Sequence, residues 1–417
     1  MGILKTVRHR GAAFALLLPV IIGMAGCGTA DKAEAGKAVY GQPLAEQFQA
    51  ATDATRGAGT AAFVSTLTYG TAGGDAVYRA RGSQDYASGT SRANIGLSAG
   101  RNVSKDTLKL LRGAAPQGGQ VVATAGDDVY VRHGRSAWLK YTPEAVNRLG
   151  EATGVIAAHA AGDAAPYSGT LADLVPRVIP RERPERQEDG SRVYRVTALP
   201  EVAAELLPRD FQRIPDGWGT EPVRLTVRLD AVGRLASATA DLAPVLDRLH
   251  ERKLLGDVRT LRAAYSLSAF GEPVKDGRPG KGGEPVEDAG KVLVFVGTLK
   301  DGRCATTGDT GLGSEAIVRP VDCADRHDLR VLAQVKVDRS LPGKQETVNG
   351  DTYAREQCGR AYTAAPQDWR RGGRYAEGFS FVGESSVTVS VLVGRTPGAG
   401  GTRTKVAGSY TCYVQAL

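Results

Sequence analysis

The chain has 417 residues, enough for two domains, with 24% charged and 42% hydrophobic residues and a formal net charge of +8. Lys5, Arg8 and Arg10 supply +3 of that charge, which leaves +5 elsewhere, and no Lys/Arg block concentrates it. This balance does not indicate a nucleic-acid binder; it suits a protein working near anionic lipid or cell-wall polymers.

The chain opens with the positive head Lys5, Arg8 and Arg10, followed by the apolar stretch Ala12 to Ile22. That stretch is shorter than the about 20 residues a bilayer span needs, and it reads as the core of a signal peptide over residues 1–26. Met24-Ala25-Gly26-Cys27 then resembles the lipobox of bacterial lipoproteins. The resemblance implies lipidation of Cys27 and a diacylglyceryl anchor on the outer face of the cell membrane. Two acyl chains hold a protein there stably where one does not. The alternative is ordinary secretion with Cys27 left as a free thiol. Residues 27–41 are small and polar and read as a flexible tether, and no later stretch reaches membrane-spanning length.

The first folded domain is expected over 42–274. Leu44, Phe48 and Ala51 give a helix over Pro43 to Thr55 one apolar face. Strands are expected at Ala61 to Tyr69 and Ala76 to Arg81. Val129 to Arg132 and Trp138 to Tyr141 flank a turn and read as a hairpin. From Val223 to Asp230 the apolar residues Val223, Leu225, Val227 and Leu229 alternate with Arg224, Thr226 and Arg228, placing one strand face on an interior. Leu235 to Asp241 follows as a strand, Leu242 to Leu249 as a short amphipathic helix, and Ala264 to Phe270 as a last strand. A helix followed by a long antiparallel meander buries one sheet face by curling over the helix, which leaves a trough.

This domain resembles the LprG/LppX-type lipoproteins, whose fold is an unclosed β-barrel wrapped over helices, similar to the carrier LolA. The resemblance rests on Asp127 to Arg132, Trp138 to Tyr141, Val227 to Asp230 with Gly233 to Leu235, and Tyr265 to Val274. It implies a cavity for the acyl chains of a lipid or glycolipid; the same strands could instead close over a packed core. Abundant Ala, Gly and Arg with only 2 Met fit a high-GC genome, read as actinobacterial.

Lys275 to Gly290 is rich in Gly, Pro and charge and reads as a linker over 275–290. The second domain, 291–417, opens on the apolar run Val292 to Val296, expected as a strand. Further strands are expected at Leu329 to Val337, Ser386 to Val393 and Ser409 to Val414, with a helix over Glu346 to Tyr362. It resembles the small extracytoplasmic septum-formation domain through its ordered Cys304, Cys323 with His327, helical Cys358 and terminal Cys412. It departs from that pattern in Arg326 before His327 and in the Gly-rich loop Thr396 to Thr402. The fold class is therefore α+β: an unclosed antiparallel half-barrel over helices plus a small disulfide-stapled α+β domain.

Setting Cys27 aside leaves four cysteines, an even set that in an exported domain reads as two disulfides. Zinc is the rival, but no C-x-x-C pair is present and His327 is the only nearby histidine. Four cysteines allow three pairings. An antiparallel return between Cys304 and Cys323 favours that pair, and Cys358–Cys412 then staples helix to terminal strand.

Gly96-Leu97-Ser98-Ala99-Gly100 matches G-x-S-x-G, the basis of a serine hydrolase alternative at Ser98. Neither a buried strand before it nor a helical period after it is evident, so a turn or edge strand is the plainer reading. His250-Glu251 lacks the second histidine of a zincin, and Gly308 to Gly313 lacks a P-loop context. His327, between Asp325 and Asp328, could be a ligand or base, but a structural hydrogen-bonding role is the commoner one. Arg370, Arg371 and Arg374 form either a basic patch or a solvated loop face. No cofactor, metal site or catalytic residue is assigned, and the ligand-binding residues are not identifiable. The expected function is a non-enzymatic, lipid-anchored envelope protein that binds or shuttles an amphiphile. Its alternative is a structural or adaptor lipoprotein without a ligand, using the C-terminal domain to meet an envelope protein or the cell wall.

Overall fold

The computed structural model describes residues 36–114, 120–133, 137–149, 170–212, 217–274, 279–280, 283–310, 316–345, 348–370, 378–392 and 401–416. Residues 1–35, with the expected signal peptide and Cys27, lie outside them, as does the loop after His133. Among the described residues no helix is long and apolar enough to cross a membrane.

Among the described residues twelve strands form one unclosed sheet. They are β1 (Thr60–Thr71), β2 (Gly74–Asp85), β3 (Thr90–Ala99), β4 (Gln120–Ala125), β5 (Asp128–His133), β6 (Trp138–Tyr141), β7 (Glu185–Arg186), β8 (Arg192–Ala198), β9 (Val223–Leu229), β10 (Leu235–Asp241), β11 (Val258–Ser268) and β12 (Val286–Asp288). Their spatial order, β12-β6-β5-β4-β3-β2-β1-β11-β10-β9-β8-β7, joins two meanders through the antiparallel β1–β11 pair. β9 shows how sequence sets the face: its Val and Leu residues are buried while Arg224, Thr226 and Arg228 are exposed. β4 has no such alternation. Val122 faces the main core while Val121, Ala123 and Ala125 pack with Tyr130 and Trp138 in a cluster on the opposite face. A strand covered on both sides carries no period of two.

Helices cover one face of this sheet. Gln47–Gly57, entered through a single 3-10 turn at Leu44–Glu46, buries Phe48 and Ala51. Phe48 meets the Tyr194 ring edge-on with centroids 5.0 Å apart, and Tyr194 Oη donates to Gln47 Oε1 at 2.6 Å. Ala243–Glu251 buries Val245, Leu246 and Leu249.

The described end of the segment expected as a flexible tether over 27–41 is folded. Lys37–Tyr40 is a helical turn, Val39 is buried, and Tyr40 Oη donates to the Asp230 carbonyl. The cause lies in the β9–β10 turn, where Asp230 Oδ1 accepts from Val232 N and Arg234 N. Gly233 sits at φ +90°, and a Cβ there would come within 2.6 Å of Val39. Only glycine lets the turn seat against that valine.

Among the described residues six strands form the second sheet: β13 (Val294–Phe295), β14 (Cys304–Thr306), β15 (Ile317–Val321), β16 (Leu329–Pro342), β17 (Ser380–Leu392) and β18 (Gly401–Gln415). Their order is β13-β15-β14-β16-β18-β17. The helix Gly350–Ala364 packs on this sheet; its N-cap Asn349 accepts from Thr352 N. Residues 346–347 and 393–400, which hold parts of the expected helix and Gly-rich loop, lie outside the described residues.

Two expectations are corrected here. Val286–Asp288, inside the segment read as a linker, is β12 and pairs in parallel with Trp138–Lys140 of β6. Glu284 fixes it by accepting from Trp138 Nε1 at 2.9 Å and pairing with Arg132 at 2.5 Å, while Arg132 and Arg92 lie over the Trp138 ring. The apolar run Val292 to Val296 is not one strand. Asp288 caps a short helix, Ala289–Val292, by accepting from Gly290 N, and a 3-10 turn begins at Val296. Leu293 belongs to the core of the large sheet and Val296 to that of the small one, so the run divides between two interiors.

Candidate ligand site on the helix-covered face

The strand registers place side chains on the helix-covered face in rows. Ser65 stands opposite Tyr265 on β11 and Ala80 on β2; Ala80 in turn faces Ile95, and Tyr265 faces Ala238. The next row runs through Leu67, Ala263, Tyr78 and Ala240, and the preceding one through Phe63, Leu267, Gly82 and Ala93. Gly82, Ala80, Ala93, Ala238, Ala240 and Ala263 therefore make a floor of small side chains in mid-sheet. A Cβ on Gly82 would meet Arg92 O at 2.1 Å, which requires glycine at this close β2–β3 approach.

Aromatic side chains bound this floor. Phe63 and Tyr265 stack with centroids 6.2 Å apart on one side, and Tyr69 and Tyr78 meet edge-on at 6.5 Å on the other. Tyr78 Oη donates to the Leu111 carbonyl at 2.7 Å. Tyr69 Oη and Tyr265 Oη are buried and have no hydrogen-bond partner among the described residues. Burial, reinforced by Tyr78 in one case and by Tyr86 and Asp173 in the other, pushes both phenols well above their ordinary pKa, so both stay protonated. Gln84 Nε2 donates to Tyr86 Oη at 2.6 Å, and the Gln84 side chain lies close enough to Tyr265 to oppose part of the rise in its pKa.

A buried hydroxyl left without a partner costs about 1–3 kcal/mol. Two of them on one apolar surface call for a polar group that the described chain does not supply. Chemically, this face presents small and apolar side chains with two neutral O–H groups among them. Sequence reasoning missed Tyr69, Tyr265 and Gln84. The signal was present in part, because Tyr69 lies in phase with Phe63 and Leu67 along β1, but only the register brings Tyr265 beside Ser65.

The residues singled out from sequence lie elsewhere. Cys304 and Cys323 stand at disulfide distance, with S–S 2.07 Å and Cα–Cα 5.1 Å, and so do Cys358 and Cys412, at 2.01 Å and 5.3 Å. Ser98 is exposed near the end of β3, opposite Val77, and its Oγ is 3.5 Å from the Val77 carbonyl. It sits within a strand, not on a strained turn leading into a helix. His250 Nε2 contacts Leu255 O at 3.1 Å, and His327, which is buried, contacts Asp325 O through Nδ1 at 2.8 Å. Arg371 and Arg374 lie outside the described residues. Among the described residues no three His, Cys, Asp or Glu side chains cluster as metal ligands.

No protein-family model matches the chain, and no curated protein matches it. Among solved structures, LprF from Mycobacterium bovis is 14% identical with a TM-score of 0.29, covering 57% of this chain and 98% of that one. The Mycobacterium tuberculosis lipoprotein LppX is 13% identical with a TM-score of 0.29, covering 56% and 97%. MucB in complex with MucA, a pair also solved from Pseudomonas aeruginosa, is 12% identical with a TM-score of 0.22, covering 87% and 93%. With all three scores below 0.3, the fold is defined by the registers above and not by these likenesses.

Proposed function

We propose that the chain is an extracytoplasmic protein, lipid-anchored through Cys27, whose half-barrel over residues 42–274 binds or shuttles an amphiphile without catalysing a reaction. Residues 291–417 then serve as an interaction module, and residues 1–26 are removed on export. The observation that carries the ligand reading is the pair of buried, unpartnered phenols, Tyr69 and Tyr265, flanking a floor of small residues. The ligand class is a lipid or glycolipid with acyl chains on the floor and oxygen atoms facing the phenols. Native mass spectrometry of the gently extracted full chain is expected to show a lipid adduct, and Tyr69→Phe/Tyr265→Phe is expected to retain less of it. A clean apo mass for the unsubstituted chain across several detergents would end this reading.

One observation favours a second reading, an adaptor whose half-barrel holds no ligand. Phe48, Phe63, Tyr194 and Tyr265 are all fully buried in a single core, so the chain's own side chains already occupy much of the trough. In that case no lipid co-purifies and the envelope role rests on the C-terminal module.

A further inference from the structure

Sheet edges expose unpaired backbone groups and invite pairing with another chain, so folds ordinarily blunt them with very short strands or charge. Three of the four sheet margins here follow that rule. β7 and β13 have two residues each and β12 has three; β7 also carries Glu185 in an ion pair with Arg195. The fourth margin does not. β17 is 13 residues long, is paired only with β18 among the described residues, and carries no charged residue or proline from Ser385 to Leu392. Val387 and Val389 on it are 43% and 44% exposed.

The sequence of this edge is a palindrome. Residues 386–390 read Ser-Val-Thr-Val-Ser about Thr388. A two-fold interface must be self-complementary, with residue i meeting j and j meeting i. Laid antiparallel on a second copy with Thr388 opposite itself, Val387 meets Val389 of the other copy and Ser386 meets Ser390. β-branched residues then pair on one face and hydroxyls on the other, both favourable cross-strand combinations. Charge agrees with this register. Glu384 lies on the Thr388 face, as do Arg403 and Lys405, which stand opposite Ser390 and Thr388 on β18. The two-fold brings Glu384 of one copy towards Arg403 of the other and sets no like charges directly opposite.

We infer that β17 is a homodimerisation edge, where two copies of this chain pair antiparallel about Thr388 to continue the six-stranded sheet across a two-fold axis. Strand pairing with a second copy satisfies the outward N–H and C=O groups and covers Val387 and Val389.

The register makes the test specific. In the full chain, purified in mild detergent without reductant, Thr388→Cys is expected to give a disulfide-linked dimer. Directly opposed residues of antiparallel strands lie about 4.5–5.5 Å apart between Cα atoms, within disulfide range. Ser386→Cys alone is expected to stay largely unlinked, because its counterpart across the axis is residue 390, and Ser386→Cys/Ser390→Cys is expected to restore the dimer. Light scattering is expected to give twice the single-chain mass for the unsubstituted protein and one chain for Val387→Lys/Val389→Lys. Peptide mapping of Cys304–Cys323 and Cys358–Cys412 serves as the folding control for every variant. A single-chain mass for the unsubstituted protein up to about 100 µM overturns the inference. So does linking of Ser386→Cys as fast as Thr388→Cys, or capture of Thr388→Cys by a different protein in place of its own copy.

Discussion

The two sheets keep their shape by different means. The twelve-stranded sheet encloses one continuous core, from Phe48 and Phe63 through Tyr194 and Leu225 to Leu261, and it holds no cysteine. The six-stranded sheet gives Ile317 to that large core and divides most of its other buried apolar residues among three small clusters, around Val331, around Leu332 with Cys358 and Cys412, and around Val337. Small units bury too little surface to offset chain entropy by apolar contact alone, and covalent links then take a larger share. One region is held by its core, the other by its core together with its sulfurs.

The sharpest way to break this comparison is to cut the links. Removing Cys358–Cys412 as Cys358→Ala/Cys412→Ala opens a separation of 54 residues, expected to cost about 4 kcal/mol by loop entropy, and Cys304–Cys323, separated by 19, about 3 kcal/mol. Differential scanning calorimetry is expected to show the six-stranded region melting first in both variants while the rest keeps its transition. Non-reducing peptide mapping checks the pairing itself. A Cys323–Cys358 peptide, or four free thiols in exported protein, would contradict it. An equal shift of both regions would show that they unfold as one.

A cut in the large core is expected to act the other way round. Phe48→Ala deletes a fully buried ring packed on Tyr194 and is expected to cost about 3–5 kcal/mol, lowering the larger transition in the same scan.

Tyr69→Phe sharpens the comparison within that core. Its hydroxyl has no partner in the described chain, so in lipid-free protein the substitution is expected to be neutral or to stabilise by about 1 kcal/mol. With ligand bound the sign is expected to reverse, and chemical denaturation with and without delipidation reads it. A loss of stability in delipidated protein would show that the phenol has a partner within the chain.

The smallest effect belongs to the junction between the regions. Hydrogen bonds from Trp138 and Arg132 hold the Glu284 carboxyl below its ordinary value of 4.5. A carboxylate shifted down stabilises the folded junction above its unfolded pKa, and that contribution fades as pH falls through the folded value. Trp138 fluorescence is therefore expected to change reversibly below about pH 4.5, and Glu284→Gln to remove that dependence. An unchanged acid titration in Glu284→Gln would assign the transition to another group.

Much of this architecture is written in local pattern. The alternation of Val223 to Leu229 gives β9, and the spacing of Val245, Leu246 and Leu249 gives a helix with one buried face. The lipobox-like Cys27, outside the described residues, is a reading of sequence alone. Where local pattern fails, the reason is tertiary. β4 lacks a period of two because both of its faces are covered. Gly and Pro mark residues 275–290 as irregular, yet Glu284 finds Trp138 and Arg132 some 150 positions earlier and draws Val286–Asp288 onto β6. Val39 is anchored by a glycine turn nearly two hundred residues away. The sequence by itself determined which segments would be strands and helices wherever one face met water, since burial on one side alone leaves a period behind. Only the tertiary structure decided which strands became edges, which phenols lost their partners and where the run Val292 to Val296 divides, because each depends on groups brought together from distant parts of the chain.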